Sequence, residues 1–202
     1  MALPKGENPN HPEPGSTIKV EPIRDVKAIR RIKMLLVDQP RNLCLFTFGI
    51  NTAYRANEIL SVKVGQVAHL KTGDVLDLKQ KKTKKYRGVT MNKTVIDAID
   101  GWLKCHSRSL DDNAPLFIGQ RGNQITVPYT NNLVKQWCQD VGLKGNYGSH
   151  TLRKTWGYQQ RVQRNTPIPL LMDAYGHTTQ KQTLEYLCIQ AEEISELFEM
   201  EL

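Results

Sequence analysis

A short stretch near the end of the chain holds four side chains suited to binding and attacking phosphate: His150, Arg153, His177 and Tyr186. Arginine binds phosphate oxygens through a planar fork of donors, histidine donates or moves protons, and a tyrosine oxygen can attack phosphorus. Because His150 and Arg153 are three residues apart, they project from one face of a helix. This combination predicts phosphoryl-transfer chemistry on a large anion.

Each of these residues also has an ordinary structural explanation. A single His-x-x-Arg on a helix is more often a surface or capping feature, and Gly176-His177 is typical of a helix end. A tyrosine before an apolar run, such as Tyr186 before Leu-Cys-Ile, is usually part of a core or an interface. The chemical interpretation therefore depends on the order and spacing of all four residues.

Two upstream segments hold further charged side chains. Arg55 lies three residues before Glu58, whose carboxylate can hold the guanidinium by an ion pair and leave part of its fork for a phosphate. The same pair can equally be a purely structural salt bridge. Between two predicted strands, 75–78 and 87–91, a turn carries lysines at positions 81, 82, 84 and 85. Such a cluster is typical of a solubilising hairpin tip or of a contact to a phosphate backbone.

These motifs together resemble the signature of the tyrosine recombinases, also called the phage integrase family. The signature includes His-x-x-Arg, here residues 150–153, then Gly-His, here 176–177, and then a tyrosine, here Tyr186. It also includes Gly-Leu-Arg-x-x-Glu-Leu, matched by residues 53–59, and a hairpin lysine before Arg-x-Val-Pro-Leu, matched by residues 87–91.

The resemblance covers roughly residues 23–186 and departs from the family pattern at three positions. Ala53 and Tyr54 stand in place of the usual Gly-Leu, and Thr90 stands in place of the usual proline. None of these changes removes a functional group, so the resemblance includes every residue type of the family's catalytic set.

The resemblance implies a set of catalytic residues that act on one scissile phosphate: Arg55, Lys82, His150, Arg153, His177 and Tyr186, with Glu58 as a supporting residue. The two arginines would hold the non-bridging oxygens, and the two histidines would donate hydrogen bonds and help move the tyrosine proton. The lysine would protonate the departing 5′ oxygen, and the product would be a 3′-phosphotyrosine, with no metal or other cofactor. Alignment on Arg87 selects Lys82, while Lys81 and Lys84 stay open because a register slip of one residue reverses the faces.

The charge of the chain favours a polyanionic partner. The formal net charge is +8, and five of the 20 acidic residues but none of the 28 basic ones lie after residue 190. Such a basic surface attracts nucleic acid, and the resemblance implies double-stranded DNA. The predicted DNA-contacting side chains are Lys81, Lys84, Lys85, Arg87 and Lys154.

Composition also limits the class of protein. A chain of 202 residues suits one domain with a substantial core, and no apolar run reaches membrane-spanning length. The chain begins without the apolar stretch of a signal peptide. Its four cysteines form no Cys-x-x-Cys pair, which argues against a zinc site and favours reduced thiols. We expect a soluble, cytoplasmic protein encoded by a bacterium, a phage or a mobile element, with no membrane partner.

The elements that must position these residues indicate an α+β, mainly helical domain. The sequence predicts helices from near Pro22, over 42–50, 56–62, 92–105, 130–141 and 149–163, and from Thr166-Pro167 to Tyr175, with strands at 75–78, 87–91 and 116–118. The expected fold is the tyrosine recombinase, or DNA breaking-rejoining, catalytic fold with a small antiparallel β-sheet. Residues 18–188 would form this domain, after a proline-rich flexible arm over residues 1–17.

The tail, residues 189–202, is predicted to form an acidic amphipathic helix. Its apolar stripe can fold back onto its own core or dock on a second protomer. We predict docking in trans, because an acidic helix matches the basic surface of another copy and the family passes a C-terminal segment to the adjacent subunit. The expected partners are then a dimer-to-tetramer synapse on DNA and an accessory DNA-bending protein. No separate N-terminal core-binding domain is expected, as in single-domain members such as the fimbrial phase-variation DNA invertases.

The resemblance thus implies an enzyme, a site-specific DNA recombinase or integrase that cleaves and rejoins DNA strands through Tyr186. Two other classes of function stay open. A type IB topoisomerase uses the same chemistry to relax supercoils without exchanging partners, and a non-enzymatic DNA-binding regulator of recombinase descent would retain only the charge.

Overall fold

The computed structural model describes residues 19–79, 86–188 and 198–199. In this part of the chain the helices are α1 (Val26–Leu35), α2 (Pro40–Thr52), α3 (Ala56–Leu60), α4 (Lys93–Leu103), α5 (Val127–Asp140), α6 (Ser149–Arg164), α7 (Ile168–Tyr175) and α8 (Gln180–Leu187), with a 3₁₀ turn at Val64–Gln66. Strands β1 (Val75–Lys79) and β2 (Tyr86–Thr90) form a two-stranded sheet. The predicted α+β, mainly helical class with a small antiparallel sheet is confirmed.

Helix α2 belongs to the core and packs against α4 and α6. Its first residue, Pro40, suits a first helical turn because a backbone N–H at that position has no partner inside the helix. Leu45, Phe46 and Phe48 are fully buried, and burial of each such side chain contributes roughly 1.5–3 kcal/mol. Helix α2 therefore forms a buried core element against which α4 and α6 are positioned.

Gly49 allows α2 and α6 to approach each other closely. A Cβ atom at Gly49 would lie 2.6 Å from Cδ1 of Leu152, so a larger residue would push the two helices apart. Leu152 is buried and lies between His150 and Arg153 in the sequence. This close packing fixes the start of α6, which carries both of those predicted site residues.

The two strands form the predicted antiparallel hairpin, with Leu78 opposite Arg87. Leu76 and Leu78 are buried while the alternate residues of β1 are exposed, the pattern of a strand with one face on the core. The Tyr54 hydroxyl lies 2.5 Å from the carbonyl oxygen of Leu76 and 3.0 Å from that of Arg87. Tyr54 therefore ties the hairpin to the segment that leads into Arg55.

The strand predicted at residues 116–118 is wrong. The Leu116 N–H donates to the carbonyl of Val62 at 2.8 Å, and an isolated bridge joins Ile118 to Gln124. The segment is buried, as its apolar sequence indicates. Among the described residues no neighbouring strand continues this pairing, so the apolar run forms core without forming a sheet.

Helices α1 and α5 begin at residues other than predicted because side-chain caps decide their starts. Helix α1 begins at Val26 rather than near Pro22, since the Asp25 carboxylate accepts a hydrogen bond from the helix backbone. Helix α5 begins three residues before the predicted start because Thr126 caps it in the same way. In both cases the cap lies outside the apolar periodicity on which the prediction relied.

The start of α7 also differs from the prediction. Thr166 does not cap this helix; its N–H donates to the carbonyl of Gln160 and so closes the end of α6. Pro167 occupies the N-cap position instead, and α7 begins at Ile168. The end at Tyr175 is as predicted.

Several predicted segments lie outside the described residues. These are the arm over residues 1–17, the hairpin lysines between β1 and β2, and the tail over residues 189–202 apart from residues 198 and 199. Among the helices that are described, none is long and apolar enough to cross a membrane.

Candidate active site

The start of α6 is held by hydrogen bonds from several parts of the chain. The Thr151 hydroxyl accepts from the Gly148 N–H at 3.0 Å and donates to the carbonyl of Glu21 at 2.8 Å. The Ser149 N–H donates to the Asn131 side chain at 3.0 Å. His150 therefore lies in a well-anchored first helical turn, and Arg153 follows one turn later on the same side.

Arg153 is almost completely buried, with 2% of its surface exposed. Its two terminal nitrogens donate to the backbone carbonyls of Ala53 and Tyr175, the latter at 2.6 Å, and its guanidinium lies 4.7 Å from the centre of the Tyr175 ring. Burial lowers the pKa of Arg153 to about 10, so the side chain stays charged at neutral pH. No carboxylate pairs with it among the described residues, which leaves its charge available to an anion.

Ala53 has a left-handed backbone, with φ of 53°. It terminates α2 and turns its carbonyl toward Arg153. An L residue with a Cβ in this conformation costs roughly 1–2 kcal/mol, and this is the position where the family pattern has glycine. The requirement for a left-handed residue therefore explains the family glycine, and the chain meets it here with a strained alanine.

Arg55 and Arg87 share one carboxylate, that of Glu58. Glu58 Oε1 lies 2.9 Å from Nη1 of Arg55, and Oε2 lies 3.0 Å from Nη2 of Arg87. The Arg55 backbone N–H also donates to Oε2 at 2.8 Å, which closes a capping arrangement at the start of α3. The predicted Arg55–Glu58 ion pair is therefore present, and it includes a second arginine that the sequence did not suggest.

His177 follows the end of α7 in a turn made by Gly176. Gly176 has φ of 65°, and the His177 N–H donates to the carbonyl of Met172 at 2.9 Å, the hydrogen bond of a Schellman motif. Nδ1 of His177 contacts the Thr183 hydroxyl at 3.0 Å, so Nε2 is the ring nitrogen left for a substrate. Burial, then Arg153 and Arg55, lower the pKa of His177 to about 4, so the ring is neutral at pH 7.

Tyr186 lies in the last turn of α8, and its hydroxyl is 3.4 Å from Nδ1 of His150. Its ring centre is 5.2 Å from that of His177, and the Arg153 guanidinium lies 5.9 Å from the ring. Burial raises the pKa of Tyr186, while Arg153 lowers it by a smaller amount. Burial, Arg153 and Lys154 lower the pKa of His150. A neutral imidazole therefore faces a neutral phenol.

The structure brings together five predicted catalytic residues and their supporting carboxylate: Arg55, His150, Arg153, His177, Tyr186 and Glu58. Their roles remain predictions, since geometry alone shows only that they are neighbours. The sixth, Lys82, lies outside the described residues, as do Lys81, Lys84 and Lys85.

Two residues predicted to contact DNA have internal positions instead. Arg87 has only 11% of its side chain exposed and bonds to Glu58 and to the carbonyl of Ala174. Lys154 is buried, with Nζ 3.2 Å from Sγ of Cys188 and 5.0 Å from the centre of the Tyr186 ring. Both side chains thus contact protein groups, and DNA contact by either one stays a prediction.

Sequence reasoning missed the role of Tyr175, and of Gly157, which leaves space for the Tyr175 hydroxyl. The Tyr175 ring is stacked 4.9 Å from His177 and packs edge-on against Tyr186 at 5.1 Å, while its hydroxyl donates to the carbonyl of Arg153 at 3.0 Å. A Cβ atom at Gly157 would lie 1.8 Å from that hydroxyl. The available signal was Gly157 itself, because a glycine inside a helix is costly and often marks a close approach.

The described site carries excess positive charge. Three guanidinium groups, those of Arg55, Arg87 and Arg153, belong to the described site, and the carboxylate of Glu58 pairs with the first two. The described residues contain no group of three or more His, Cys, Asp or Glu side chains that could hold a metal ion. The excess of guanidinium groups over carboxylates matches the site electrostatically to an anion.

Known proteins are similar in sequence to this chain. The profile of the phage integrase family matches residues 26–193. The chain is 30% identical over 172 residues to the probable integrase/recombinase YoeC of Bacillus subtilis, a match that covers 84% of this chain and 90% of that relative. It is 25% identical over 140 residues to the tyrosine recombinase XerH of Campylobacter jejuni, covering 69% of this chain and 38% of XerH.

Solved structures share the fold. The crystal structure of XerA recombinase matches with a TM-score of 0.72 at 16% identity, covering 91% of this chain and 65% of that one. XerH bound to its palindromic difH substrate, a post-cleavage complex, matches with a TM-score of 0.71 at 20% identity, covering 91% and 54%. The expected recombinase catalytic fold is confirmed. The chain spans most of YoeC but about half or less of XerH. With a family profile matching most of its length, the chain belongs to the phage integrase family.

Proposed function

We propose that this chain is a tyrosine-type site-specific DNA recombinase, which cleaves and rejoins strands through a covalent 3′-phosphotyrosine at Tyr186. One observation carries the proposal: the Tyr186 hydroxyl lies beside His150, and the Arg153 guanidinium and the His177 ring lie against the Tyr186 ring. Double-stranded DNA is the proposed partner, supported by the basic charge of the chain and by structural neighbours that are recombinases bound to DNA.

In the proposed first step, the Tyr186 oxygen attacks the scissile phosphorus. Because burial keeps the pKa of this phenol above its ordinary value, the proton must leave as the bond forms. His150 is placed to accept it, since its Nδ1 is 3.4 Å from the hydroxyl and its lowered pKa keeps the ring unprotonated at neutral pH. The two reacting atoms are the Tyr186 oxygen and the phosphorus of the bound phosphate.

The transition state of this attack carries additional charge on the phosphoryl oxygens, which Arg55 and Arg153 would stabilise. Arg153 suits this role because its fork is fixed by two backbone carbonyls and no described carboxylate neutralises it. Removing one fixed donor from such a site typically costs about 2.7–4 kcal/mol. His177, through Nε2, would add a further hydrogen bond to the same oxygens.

Bond breaking releases the 5′ oxygen of the cleaved strand, which needs a proton. We propose Lys82 as its source, because the family resemblance selects it and it lies in the sequence between the antiparallel strands β1 and β2. Attack by a 5′ hydroxyl of another strand on the phosphotyrosine would reverse the step, returning the proton and freeing Tyr186. No bond energy is lost, so the exchange requires no nucleotide.

A nicked suicide substrate tests the proposal, because loss of a short 5′ fragment prevents religation and accumulates the covalent adduct. The wild-type chain should form an adduct that survives denaturant, and Tyr186→Phe should bind DNA without forming it. Tyr129→Phe is a matched control, since Tyr129 is exposed and lies on α5. Undiminished adduct in Tyr186→Phe would overturn the assignment of the nucleophile.

The same assay separates the other two functional classes. Exchange of strands between two marked duplexes supports a recombinase, whereas relaxation of supercoiled DNA without exchange indicates a topoisomerase of type IB. Binding without any adduct indicates a non-enzymatic regulator.

We further propose that protomers assemble on DNA through the tail, residues 189–202, from dimer to tetramer, with an accessory DNA-bending protein as an additional partner. Phe198, one of the two described tail residues, has 85% of its surface exposed, as an anchor for a second copy would. The chain truncated after Gln190 should stay folded and bind DNA but lose paired-site complexes. Unfolding of the truncated chain would show instead that the tail belongs to its own core.

The proposed location is the cytoplasm, where DNA is accessible. All four cysteines, Cys44, Cys105, Cys138 and Cys188, are free thiols, which is consistent with a reducing compartment.

A further inference from the structure

Arg87 lies at the beginning of β2 but directs its guanidinium inward. Nη2 bonds to Glu58 at 3.0 Å, Nη1 donates to the carbonyl of Ala174 at 3.1 Å, and the guanidinium carbon lies 4.6 Å from the centre of the Tyr54 ring. Its Nε is buried without a hydrogen-bond partner among the described residues. Both terminal nitrogens of Arg87 thus bond to protein oxygens, and its side chain is less exposed than that of Arg55.

Glu58 stands between Arg87 and Arg55, and its side chain has only 2% of its surface exposed. Arg55 differs from Arg87 in being 28% exposed, with Nη1 as the side-chain donor that bonds to Glu58. The other donors of its fork make no described protein contact and are available to a substrate. Each carboxylate oxygen of Glu58 thus serves a different guanidinium.

This sharing has a chemical consequence. A carboxylate and a guanidinium frequently form two parallel hydrogen bonds. Oε2 of Glu58 accepts from both Arg87 and the Arg55 backbone N–H, so without Arg87 one acceptor position of Oε2 would be free for a second donor of the Arg55 guanidinium. That second bond would withdraw a further donor of Arg55 from the phosphate and turn the fork away from it.

We propose that Arg87 is a positioning residue of this active site: by holding one oxygen of Glu58, it prevents Arg55 from closing onto the carboxylate and keeps its fork open to the scissile phosphate. The inference rests on the proposed function, because it concerns the same phosphate. Its contact with Ala174, three residues before His177, also ties this arrangement to the end of α7.

The proposal predicts suppression of one substitution by another. Arg87→Met fills a similar volume but releases Oε2, so cleavage of the suicide substrate under single-turnover conditions should slow by about 10- to 100-fold, the range expected for misplacement of a catalytic group. Adding Glu58→Gln to Arg87→Met should restore much of the rate. The neutral amide keeps an oxygen for the Arg55 backbone N–H but no longer attracts its guanidinium.

A second pair of variants tests whether Arg87 acts through Arg55. Arg55→Ala alone should be slow, and adding Arg87→Met to it should slow cleavage by less than about twofold, because residues that act as a unit are not additive. Arg108→Met is the matched control: Arg108 also pairs with a carboxylate, that of Asp111 at 2.6 Å, but on the exposed surface. Its cleavage rate should equal that of the wild type.

Folding and DNA affinity are measured for every variant, by thermal unfolding and by titration with Tyr186→Phe in the background. If Arg87→Met unfolds below the assay temperature, Arg87→Lys replaces it. A lysine can still bond to one oxygen of Glu58 but cannot reach Ala174 as well. The cleavage rate of Arg87→Lys should therefore lie between those of Arg87→Met and the wild type. Adding Glu58→Gln should raise the cleavage rate of Arg87→Lys as well.

The outcomes separate this inference from the proposed function. If the wild-type chain forms no adduct, the proposed function fails. If it does, and Arg87→Met cleaves at full rate, or Glu58→Gln does not restore a slow Arg87 variant, or the Arg87 effect persists undiminished without Arg55, then only the positioning role is overturned. Rescue by Glu58→Gln together with non-additivity at Arg55 establishes it.

Discussion

The predicted site joins two regions that pack against apolar clusters of very different size. Arg55, Glu58 and Arg87 adjoin the large apolar core that includes α2, α4, α5 and the hairpin. Tyr186 instead packs against a small cluster of four buried residues: Ala53, Leu171, Tyr175 and Leu187. Because burial of apolar surface provides most of the stabilisation of a fold, we expect the proposed phosphate-binding residues to be held more firmly than the proposed nucleophile.

Arg153 connects the two regions. Its preceding residue, Leu152, belongs to the large core, while its guanidinium bonds to Ala53 and Tyr175 of the small cluster. Under the proposed function, this division would let Tyr186 adjust its position while the phosphate site stays rigid.

The largest expected effect is that of Arg153→Met, which removes the connection and a phosphate donor together. We expect the rate of covalent cleavage to fall by about 10²- to 10³-fold, equal to about 2.7–4 kcal/mol of transition-state stabilisation. Single-turnover assays on the suicide substrate measure it. Arg161→Met, on the exposed end of the same helix, serves as the control. Cleavage within tenfold of wild type would mean that Arg153 only supports the fold.

Gly157→Ala should disturb the packing of the small cluster by a steric clash, without substituting any predicted catalytic residue. The new Cβ would lie 1.8 Å from the Tyr175 hydroxyl and 2.9 Å from Leu187, so the small cluster must shift. Overpacking of this kind costs about 1–3 kcal/mol, measurable by denaturant unfolding. Gly101→Ala is the matched control, because a Cβ there meets nothing within 4 Å. Equal stability of the two variants would contradict close packing around Tyr175.

Much of this organisation was predictable from the sequence, but the region around Arg55 was predicted more completely than the region around Tyr186. The helices of the core, the hairpin and the ion pair of Arg55 with Glu58 follow from apolar periodicity and local spacing. The second partner of Glu58 was not predictable, because Arg87 reaches it from 29 residues away. Tyr175 escaped notice because it acts through ring stacking, which leaves no periodic signal.

A pH titration of stability should report on His177, which stacks on Tyr175 of the small cluster. Its pKa is lowered to about 4 in the folded chain, against about 6.5 when unfolded. Between these values the unfolded chain binds more protons, so the stability contributed by the neutral ring is complete above pH 6.5 and is lost as pH falls toward 4.

His177→Gln should therefore flatten the dependence of the melting temperature on pH between 6.5 and 4. His69→Gln should leave it unchanged, since His69 is exposed and lies outside both regions. An unaltered slope in His177→Gln would mean that the ring takes up its proton in the folded chain at its ordinary pKa, and that the small cluster is open to water.

The smallest effect concerns Ala53, where the end of the large-core helix α2 meets the small cluster. Its left-handed backbone strains a residue that has a Cβ, whereas glycine adopts φ of 53° freely. Ala53→Gly should raise the free energy of unfolding by up to about 1 kcal/mol, the strain being partly offset by the greater freedom of glycine in the unfolded chain. Cleavage should be unchanged, because the carbonyl that accepts from Arg153 is kept. Ala98→Gly, in the middle of α4, is the opposite control and should destabilise by about 0.5–1 kcal/mol. If Ala53→Gly instead destabilises the chain by as much as Ala98→Gly, the alanine methyl contributes more as part of the small cluster than its strain costs, and the junction between the regions is held by packing.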